Sequence, residues 1–123
     1  MGMLNQIAQI IYDKKGFNIL ALDVKGISTI TDILLIAEGN VDRHVISIAK
    51  NIEENLGKMG IRPAKTEGLE SGDWVVLDYL DMVIHLFMPG LREKYALEKL
   101  WNEGKIVDLA IDVSKEHASG DWG

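Results

Sequence analysis

Residues Ser71–Trp101 read "SGDWVVLDYLDMVIHLFMPGLREKYALEKLW", and this stretch decides the fold. Its first half contains two largely apolar runs, Trp74–Tyr79 and Met82–Met88, and the dipeptide Leu80-Asp81 separates them. Strand-forming residues on either side of a two-residue break are typical of an antiparallel hairpin. A Pro-Gly pair follows the second run, and the pattern after it predicts a helix from about residue 91 to residue 101. The stretch therefore predicts a β-hairpin followed by a helix.

The register of this hairpin divides its side chains between two faces. A turn at Leu80-Asp81 places Tyr79 opposite Met82 and Trp74 opposite Phe87, and successive side chains alternate faces. One face is then apolar and belongs to the core: Val75, Leu77, Tyr79, Met82, Ile84 and Leu86. The other face, called the hairpin face below, combines aromatic and polar side chains: Trp74, Val76, Asp78, Val83, His85 and Phe87. A uniformly dry core would not include a carboxylate and an imidazole.

Three interpretations of the hairpin face remain open from the residues alone. In the first, the last helix covers it, the aromatic rings pack, and Asp78 and His85 satisfy each other or nearby backbone groups. In the second, it is an exposed binding surface, since Trp, Tyr and Arg are the residues that anchor protein interfaces. In the third, it is catalytic, with Asp78, Asp81 and His85 as metal ligands or an acid/base pair. The third is weaker, because Asp81 falls in the turn and no second histidine lies nearby in the sequence.

The residues before the hairpin supply further elements. A first amphipathic helix ends near Gly16, because apolar residues recur at helical spacing before it: Leu4, Ile7, Ala8 and Ile11. Two nearly continuous apolar runs, residues 18–24 and 32–39, predict strands that are covered on both faces. Residues 61–68 predict a short, polar third strand at an edge of the sheet, since this segment contains a proline.

The clearest helix follows the second strand. An apolar stripe marks it: Val41, Val45, Ile48, Ile52, Leu56 and Met59. Asn40 is a suitable N-cap, and Gly60 supplies the C-cap. The resulting order, α-β-β-α-β-β-β-α, predicts the α/β class (α+β under a stricter label), with a mixed sheet of about five strands flanked by helices. We assign one domain to residues 1–104 and a C-terminal tail to residues 105–123, in which only 105–113 has strand or packing character.

The charge of the chain limits the classes of partner. Its 19 acidic residues outnumber 13 basic ones, which gives a formal net charge of −6. Counterion-driven binding to nucleic acid requires clusters of Lys and Arg, whereas an acidic protein attracts basic protein surfaces. We therefore expect little direct RNA contact, and a basic protein partner stays open.

The composition also bears on the cellular location. The chain contains no cysteine, which excludes disulfides and thiolate metal sites. No apolar run reaches the ~20 residues of a membrane span, and the first residues lack the basic and apolar regions of a secretory signal. We expect a cytoplasmic protein that has no contact with a membrane.

Three segments carry a combination of motifs: "STITDILLIAEGNVDRHVISIAKNI", "EGLESGDWVVLDYLDMVIHLF" and "REKYALEKLW". In this combination the chain resembles the iojap family, the bacterial ribosomal silencing factors (RsfS), from about Ile7 to Trp101. The motif positions that it shares occur in the family's order and spacing: Glu67-Gly68, Trp74, Asp78-Tyr79, Asp81, His85-Leu86-Phe87, Arg92, Tyr95, Leu97-Glu98 and Leu100-Trp101.

The resemblance implies a fold, a function and a set of site residues. The family has a mixed sheet flanked by helices, distantly like nucleotidyltransferases but without known catalysis, so we expect no enzyme activity and no cofactor. Its members bind the large ribosomal subunit through a ribosomal protein on the subunit-joining face. They thereby keep the small subunit from docking and lower translation. Carried onto this sequence, the partner-binding or supporting positions are Trp74, Asp78, Asp81, His85, Phe87, Arg92 and Tyr95.

The sequence departs from the family pattern at the hairpin turn. Leu80 stands where the family often has glycine, and leucine disfavours the positive φ of a tight two-residue turn. We therefore expect a longer turn, from which Leu80 projects outward as an additional apolar contact with the partner. Lys94, Ala96 and Ile33 also differ from residues common in the family, which affects details of the interface.

Two alternative functions stay open beside ribosome silencing. One is a nucleotidyltransferase-like or metal-dependent enzyme that uses Asp78, Asp81 and His85. The other is an assembly factor that stays on maturing large subunits. The residues also allow a homodimer, since an exposed mixed face or an edge strand offers a two-fold contact.

Overall fold

The structure, a computed structural model, describes residues 2–91 and 104–113. Its helices and strands have these bounds: α1 Gly2–Asp13, β1 Phe17–Asp23, β2 Ile33–Glu38, α2 Asp42–Lys58, β3 Lys65–Glu67, β4 Trp74–Asp78, β5 Met82–Phe87 and β6 Lys105–Ile106. Except for its first residue, the helix predicted from residue 91 lies outside the described residues, as does the tail from residue 114.

The strands of the described residues form one mixed sheet in the order β3-β4-β5-β2-β1-β6. β2 and β5 run parallel in its centre, with Ile33 opposite Met82, and the other neighbouring strands are antiparallel. All six residues of β2 are buried, as its continuous apolar run predicts for a central strand. The α+β class is confirmed, and the sheet has one strand more than the predicted five.

The main core lies between the sheet and the two helices α1 and α2. α2 contributes a stripe of buried residues at helical spacing: Val45, Ile48, Ala49, Ile52 and Leu56. From the hairpin come Val75, Leu77, Met82, Ile84 and Leu86, while Tyr79 packs against them partly buried. The apolar face predicted for the hairpin is therefore the one that meets the helices.

The cap predicted for the C-terminal end of α2 is present, whereas the cap predicted for its N-terminal end is not. Gly60 adopts φ 78° and donates its N–H to the carbonyl of Gly57, while the N–H of Ile61 returns to that of Leu56. These two bonds satisfy carbonyls of the last turn, as a helix-ending glycine predicts. At the start, the N-cap predicted for Asn40 is wrong, because Val41 holds this position without a side-chain hydrogen bond.

The apolar stripe predicted for α2 is too long by one residue at each end. Val41 precedes the first turn and Met59 follows the last one, and both side chains are about half exposed. The backbone of Asn40 instead donates its N–H to Nδ1 of His44 (2.8 Å). Helical spacing alone does not reveal where the first and last hydrogen bonds of a helix form.

A second, smaller core lies on the opposite face of the sheet. It consists of Leu22, Val24, Leu34, Ile36 and Phe87, with Leu20, Trp74 and Leu91 packed against it partly buried. The hairpin face therefore continues into a core at the end of β5 that carries Phe87.

Residues 105–113 complete one edge of the domain. Lys105 and Ile106 pair with β1 as β6, and Val107 and Leu109 pack against the main core. Further along, the N–H of Ala110 donates to Oδ1 of Asn5 (3.0 Å) in α1. The strand or packing character predicted for this segment is thus present, and it adds the sixth strand. The division of the chain at residue 104 stays a prediction.

Candidate interaction face on the hairpin

The hairpin has the register that the sequence predicts. Trp74 lies opposite Phe87, and Val76 lies opposite His85. The N–H of Tyr79 donates to the carbonyl of Met82 (2.8 Å) across the turn. Because the register is as predicted, the side chains of the hairpin face are on one side of the sheet, away from α1 and α2.

Three rings of the hairpin face form a stacked cluster. The centroids of Trp74 and Phe87 are 5.1 Å apart with an interplanar angle of 28°, and those of His85 and Phe87 are 6.1 Å apart at 12°. Trp74 and His85 are tilted, with centroids 5.9 Å apart. Offset contacts at these separations are favourable for aromatic rings. Phe87 is fully buried, whereas Trp74 and His85 keep part of their surface exposed.

A hydrogen bond fixes the orientation of the two polar rings. Nε1–H of Trp74 donates to Nδ1 of His85 over 2.9 Å. Since Nδ1 accepts this bond, a neutral His85 carries its proton on Nε2. Burial lowers the pKa of His85 from 6.5 to about 4, so the ring is neutral at neutral pH. His85 therefore offers a polar N–H without a charge.

The hairpin turn is short, and the predicted longer turn is wrong. β4 ends at Asp78, β5 begins at Met82, and Leu80 adopts φ 73°. The N–H of Leu80 donates to Oδ1 of Asp78 (2.8 Å), which stabilises this conformation. The prediction that Leu80 projects outward is confirmed, because 66% of its surface is exposed.

The turn is also fixed to the neighbouring loop. The carbonyl of Asp81 accepts the N–H groups of Asp32 (3.1 Å) and Ile33 (3.0 Å), which lie at the start of β2. The main chain of Asp81 therefore holds the turn against the start of β2. Asp81 itself is exposed at the end of the hairpin.

On the core side of the same turn, Tyr79 carries a perturbed hydroxyl. Burial and, to a lesser extent, the carboxylate of Glu53 raise its pKa to about 12. The phenol therefore remains protonated under all physiological conditions. It points toward the main core and does not belong to the hairpin face.

The loop before β4 positions Trp74. Gly68 adopts φ 86°, and its carbonyl accepts the N–H groups of Ser71 and Gly72. An added Cβ at Gly68 would lie 2.0 Å from the carbonyl oxygen of Trp74. The glycine of the "EG" motif is therefore needed for the close approach of this loop to the first residue of β4.

The three residues of the catalytic interpretation, Asp78, Asp81 and His85, each have a different structural role. Asp78 accepts from the turn backbone, His85 accepts from Trp74, and Asp81 anchors the adjacent loop through its carbonyl. Within residues 2–91 and 104–113, no group of three or more His, Asp or Glu side chains could hold a metal ion. No helix in that part of the chain is long and apolar enough to cross a membrane.

Two of the predicted site residues, Arg92 and Tyr95, lie outside the described residues. Two exposed apolar residues in the loop between β1 and β2, Ile27 and Ile30, were not predicted from the sequence. Isoleucine in a polar segment such as "KGISTITD" was the available signal, since a β-branched apolar residue is unusual in an exposed loop.

The fold is shared with solved bacterial structures. A crystal structure of a protein from Chromobacterium violaceum matches with a TM-score of 0.79 at 29% identity, covering 93% of this chain and 94% of that one. A second, from Bacillus halodurans, matches with a TM-score of 0.78 at 36% identity, covering 88% of this chain and 98% of the other. These similarities confirm the class of α+β domain to which the chain belongs.

The sequence comparisons identify the family. Residues 2–122 match the family model described as "Ribosomal silencing factor during starvation". A ribosomal silencing factor RsfS from Bacillus subtilis is 42% identical over 103 residues, which cover 84% of this chain and 87% of the relative. A mouse protein named "Mitochondrial assembly of ribosomal large subunit protein 1" is 26% identical, covering 97% of this chain and 54% of its own length. The chain belongs to the RsfS family, which confirms the resemblance seen in its sequence.

Proposed function

We propose that this protein binds the large ribosomal subunit in the cytoplasm and prevents the small subunit from joining it. Membership of the ribosomal silencing factor family supports the link to the ribosome. The observation that carries the proposal is the end of the hairpin, where the exposed Leu80 stands between Asp78 and Asp81. An apolar side chain flanked by carboxylates suits a basic protein surface with an apolar centre.

The residues of the hairpin face would contribute to binding in different ways. Trp74 and His85 would supply contact area and one uncharged donor, because both keep part of their surface exposed. Phe87 would act as a support beneath them, since it is fully buried. Asp78 and Asp81 would meet Lys or Arg of the partner and set the orientation of the complex. Arg92 and Tyr95 remain proposed partner-binding positions.

A basic ribosomal protein is a more suitable partner than ribosomal RNA. The net charge of −6 repels phosphates, and three acidic residues that are at least partly exposed lie at this end of the sheet: Asp32, Asp78 and Asp81. A contact with a large-subunit protein on the subunit-joining face would therefore combine charge attraction with steric blockage.

The mechanism that we propose is steric and involves no turnover. His85 is a poor general base, because its Nδ1 is occupied by Trp74 and burial lowers its pKa to about 4. Asp78 is engaged by the backbone of its own turn. The hydrogen bonds of this face therefore favour a binding surface over the enzymatic alternative.

A second candidate function is participation in assembly of the large subunit. The name of the mouse relative favours it, and the same hairpin face could serve both functions. Sedimentation of cell extracts through a density gradient distinguishes the two functions, because it shows which ribosomal particle the protein is bound to. We expect it on mature large subunits if it silences translation, and on precursors alone if it acts in assembly.

The binding proposal predicts a specific effect of charge reversal at the turn. We expect Asp81→Lys to weaken binding to purified large subunits roughly tenfold, because it replaces an attraction by a repulsion. The fold should be preserved, since Asp81 holds its neighbours through its main chain. Co-sedimentation titrated at physiological salt gives both dissociation constants.

Glu54→Lys is the matched control for this prediction. It causes the same change of net charge, but Glu54 is an exposed residue of α2, on the other side of the sheet from the hairpin face. We expect a change of less than about threefold, because screening limits a charge effect to about 8 Å at physiological salt. Equal weakening by both variants would show that only the total charge matters, and the proposed face would then be wrong.

A further inference from the structure

We propose that the contact region at the hairpin turn extends over the loop between β1 and β2, and that this end of the sheet binds an apolar patch bordered by Lys or Arg on the basic partner protein. This region, called the sheet end below, comprises Met3, Ile27, Ile30 and Leu80 together with Asp32 and Asp81. The inference rests on the proposed function, since it extends the same interface. It adds the loop between β1 and β2, in which the family resemblance places no binding residue.

The loop and the hairpin turn form one continuous structure. Both N–H groups at the start of β2, those of Asp32 and Ile33, donate to the carbonyl of Asp81. The carbonyl of Asp32 in turn accepts the N–H of Val24 (2.8 Å) at the end of β1. A partner that touches Leu80 therefore also faces the loop that carries Ile27 and Ile30.

Hydrogen bonds hold this loop in a defined shape. Oγ of Ser28 accepts the N–H groups of Ile30 (3.0 Å) and Thr31 (3.4 Å). The carbonyl of Val24 accepts the N–H groups of Ile27 and Ser28. In this arrangement 41% of Ile27 and 75% of Ile30 is exposed. The loop thus presents two β-branched apolar side chains on an ordered backbone, which reduces the entropy lost when a partner binds.

Leu80 gives an independent indication that the sheet end is functional. Its φ of 73° is a conformation that L-residues with a Cβ adopt at a cost, and glycine would adopt it freely. The leucine side chain is mostly exposed, so burial in the protein does not offset this strain. The hydrogen bond to Asp78 holds the backbone of Leu80, but its side chain, which glycine would lack, gains little from burial in the protein. An exposed leucine in a conformation suited to glycine points to a contact outside the chain.

The charge of the sheet end selects the kind of partner. A cavity of about 200 Å³ opens there, and its lining combines Met3 and Met82 with the carboxylates of Asp32 and Asp81 and with Lys25. A lysine or arginine of the partner can lay its apolar stem against the methionines while its charge meets the carboxylates. A second copy of this chain would bring carboxylates against carboxylates, so a basic protein is the better occupant.

The test compares three proteins in the same titration with purified large subunits: wild type, Leu80→Gly and Ile30→Ala. We expect each variant to bind about tenfold or more weakly, since each removes a large apolar contact. We also expect Leu80→Gly to have an unchanged or higher Tm, because it removes the positive-φ strain. Loss of binding without loss of stability is a result that a purely structural role of Leu80 would not give.

Val41→Ala is the control, since Val41 is an exposed apolar residue next to the opposite end of β2. It should bind as wild type does. If wild type binds and both variants bind equally well, the sheet end is not part of the interface and the inference is wrong. If the variants instead lose self-association in analytical ultracentrifugation and keep their affinity for large subunits, the occupant is a second copy, which also overturns it. Failure of wild type to bind would refute the proposed function, and this inference with it.

Discussion

Replacing Gly68 by alanine is expected to lower the free energy of unfolding by about 2–4 kcal/mol. Two costs add together at this position. The φ of 86° disfavours any residue with a Cβ, and the added methyl group would lie 2.0 Å from the carbonyl oxygen of Trp74 and 3.0 Å from its carbonyl carbon. Because the obstacle is backbone rather than a flexible side chain, the loop or β4 must move. Denaturation by urea, followed by circular dichroism, measures the loss.

The same substitution should also weaken binding, since β4 begins with Trp74 and any shift of the strand moves the ring cluster of the hairpin face. Gly57→Ala is the matched control. Gly57 lies inside α2, and an added Cβ there meets no atom within 4 Å. Alanine has the higher helix propensity, so this variant should gain up to about 1 kcal/mol. A similar change in both variants would contradict the role assigned to Gly68.

Acidification is expected to destabilise the protein through His85. The pKa of this residue is about 4 in the folded chain, against 6.5 as the ordinary value. As the pH falls below 6.5 the unfolded chain takes up the proton first, so stability present above pH 6.5 is lost progressively down to about pH 4. The slope is at most about 1.4 kcal/mol per pH unit, and the total is on the order of 3 kcal/mol.

Carboxylates also titrate at the lower end of this window, so the effect must be isolated by comparison. His85→Gln offers a side-chain acceptor to Nε1–H of Trp74 and cannot take up a proton. The difference in unfolding free energy between wild type and this variant should shrink or reverse as the pH falls from 6.5 to 4. A pH-independent difference would mean that burial of His85 does not shift its pKa in the way described.

The sequence was sufficient for elements whose pattern is both long and regular. The stripe from Val45 to Leu56 predicted α2, and the alternation from Trp74 to Phe87 predicted the hairpin with its register. These predictions succeeded because period 3.6 and period 2 each place apolar residues on one face, and a buried face tolerates no shift of register. The parallel pairing of β2 with β5 and the pairing of β6 with β1 depend on distant parts of the chain, so no local pattern indicated these partners, although strand or packing character was predicted for the segment that contains β6.

The residues of the candidate site were predicted from the sequence, but the hydrogen bonds that their side chains form were not. The residues of the hairpin face were known from the register, yet His85 bonds to Trp74 while Asp78 bonds to the backbone of Leu80. Each polar side chain has more than one candidate hydrogen-bond partner on the same face. The interatomic distances in the folded chain decide which bond forms, and the sequence does not give them. The turn was mispredicted for a related reason. Leucine generally disfavours a positive φ, but here the hydrogen bond from the Leu80 N–H to the Asp78 side chain stabilises that conformation.

The order in which components are mixed provides the most direct test of the proposed function. Light scattering follows the joining of purified small and large subunits, with this protein added either to the large subunits first or after joining. Steric blockage predicts that joining is inhibited when the protein comes first, that excess small subunits relieve the inhibition, and that Asp81→Lys inhibits less than Glu54→Lys. Unchanged joining at saturating protein, or stable binding of the protein to joined ribosomes, would contradict it.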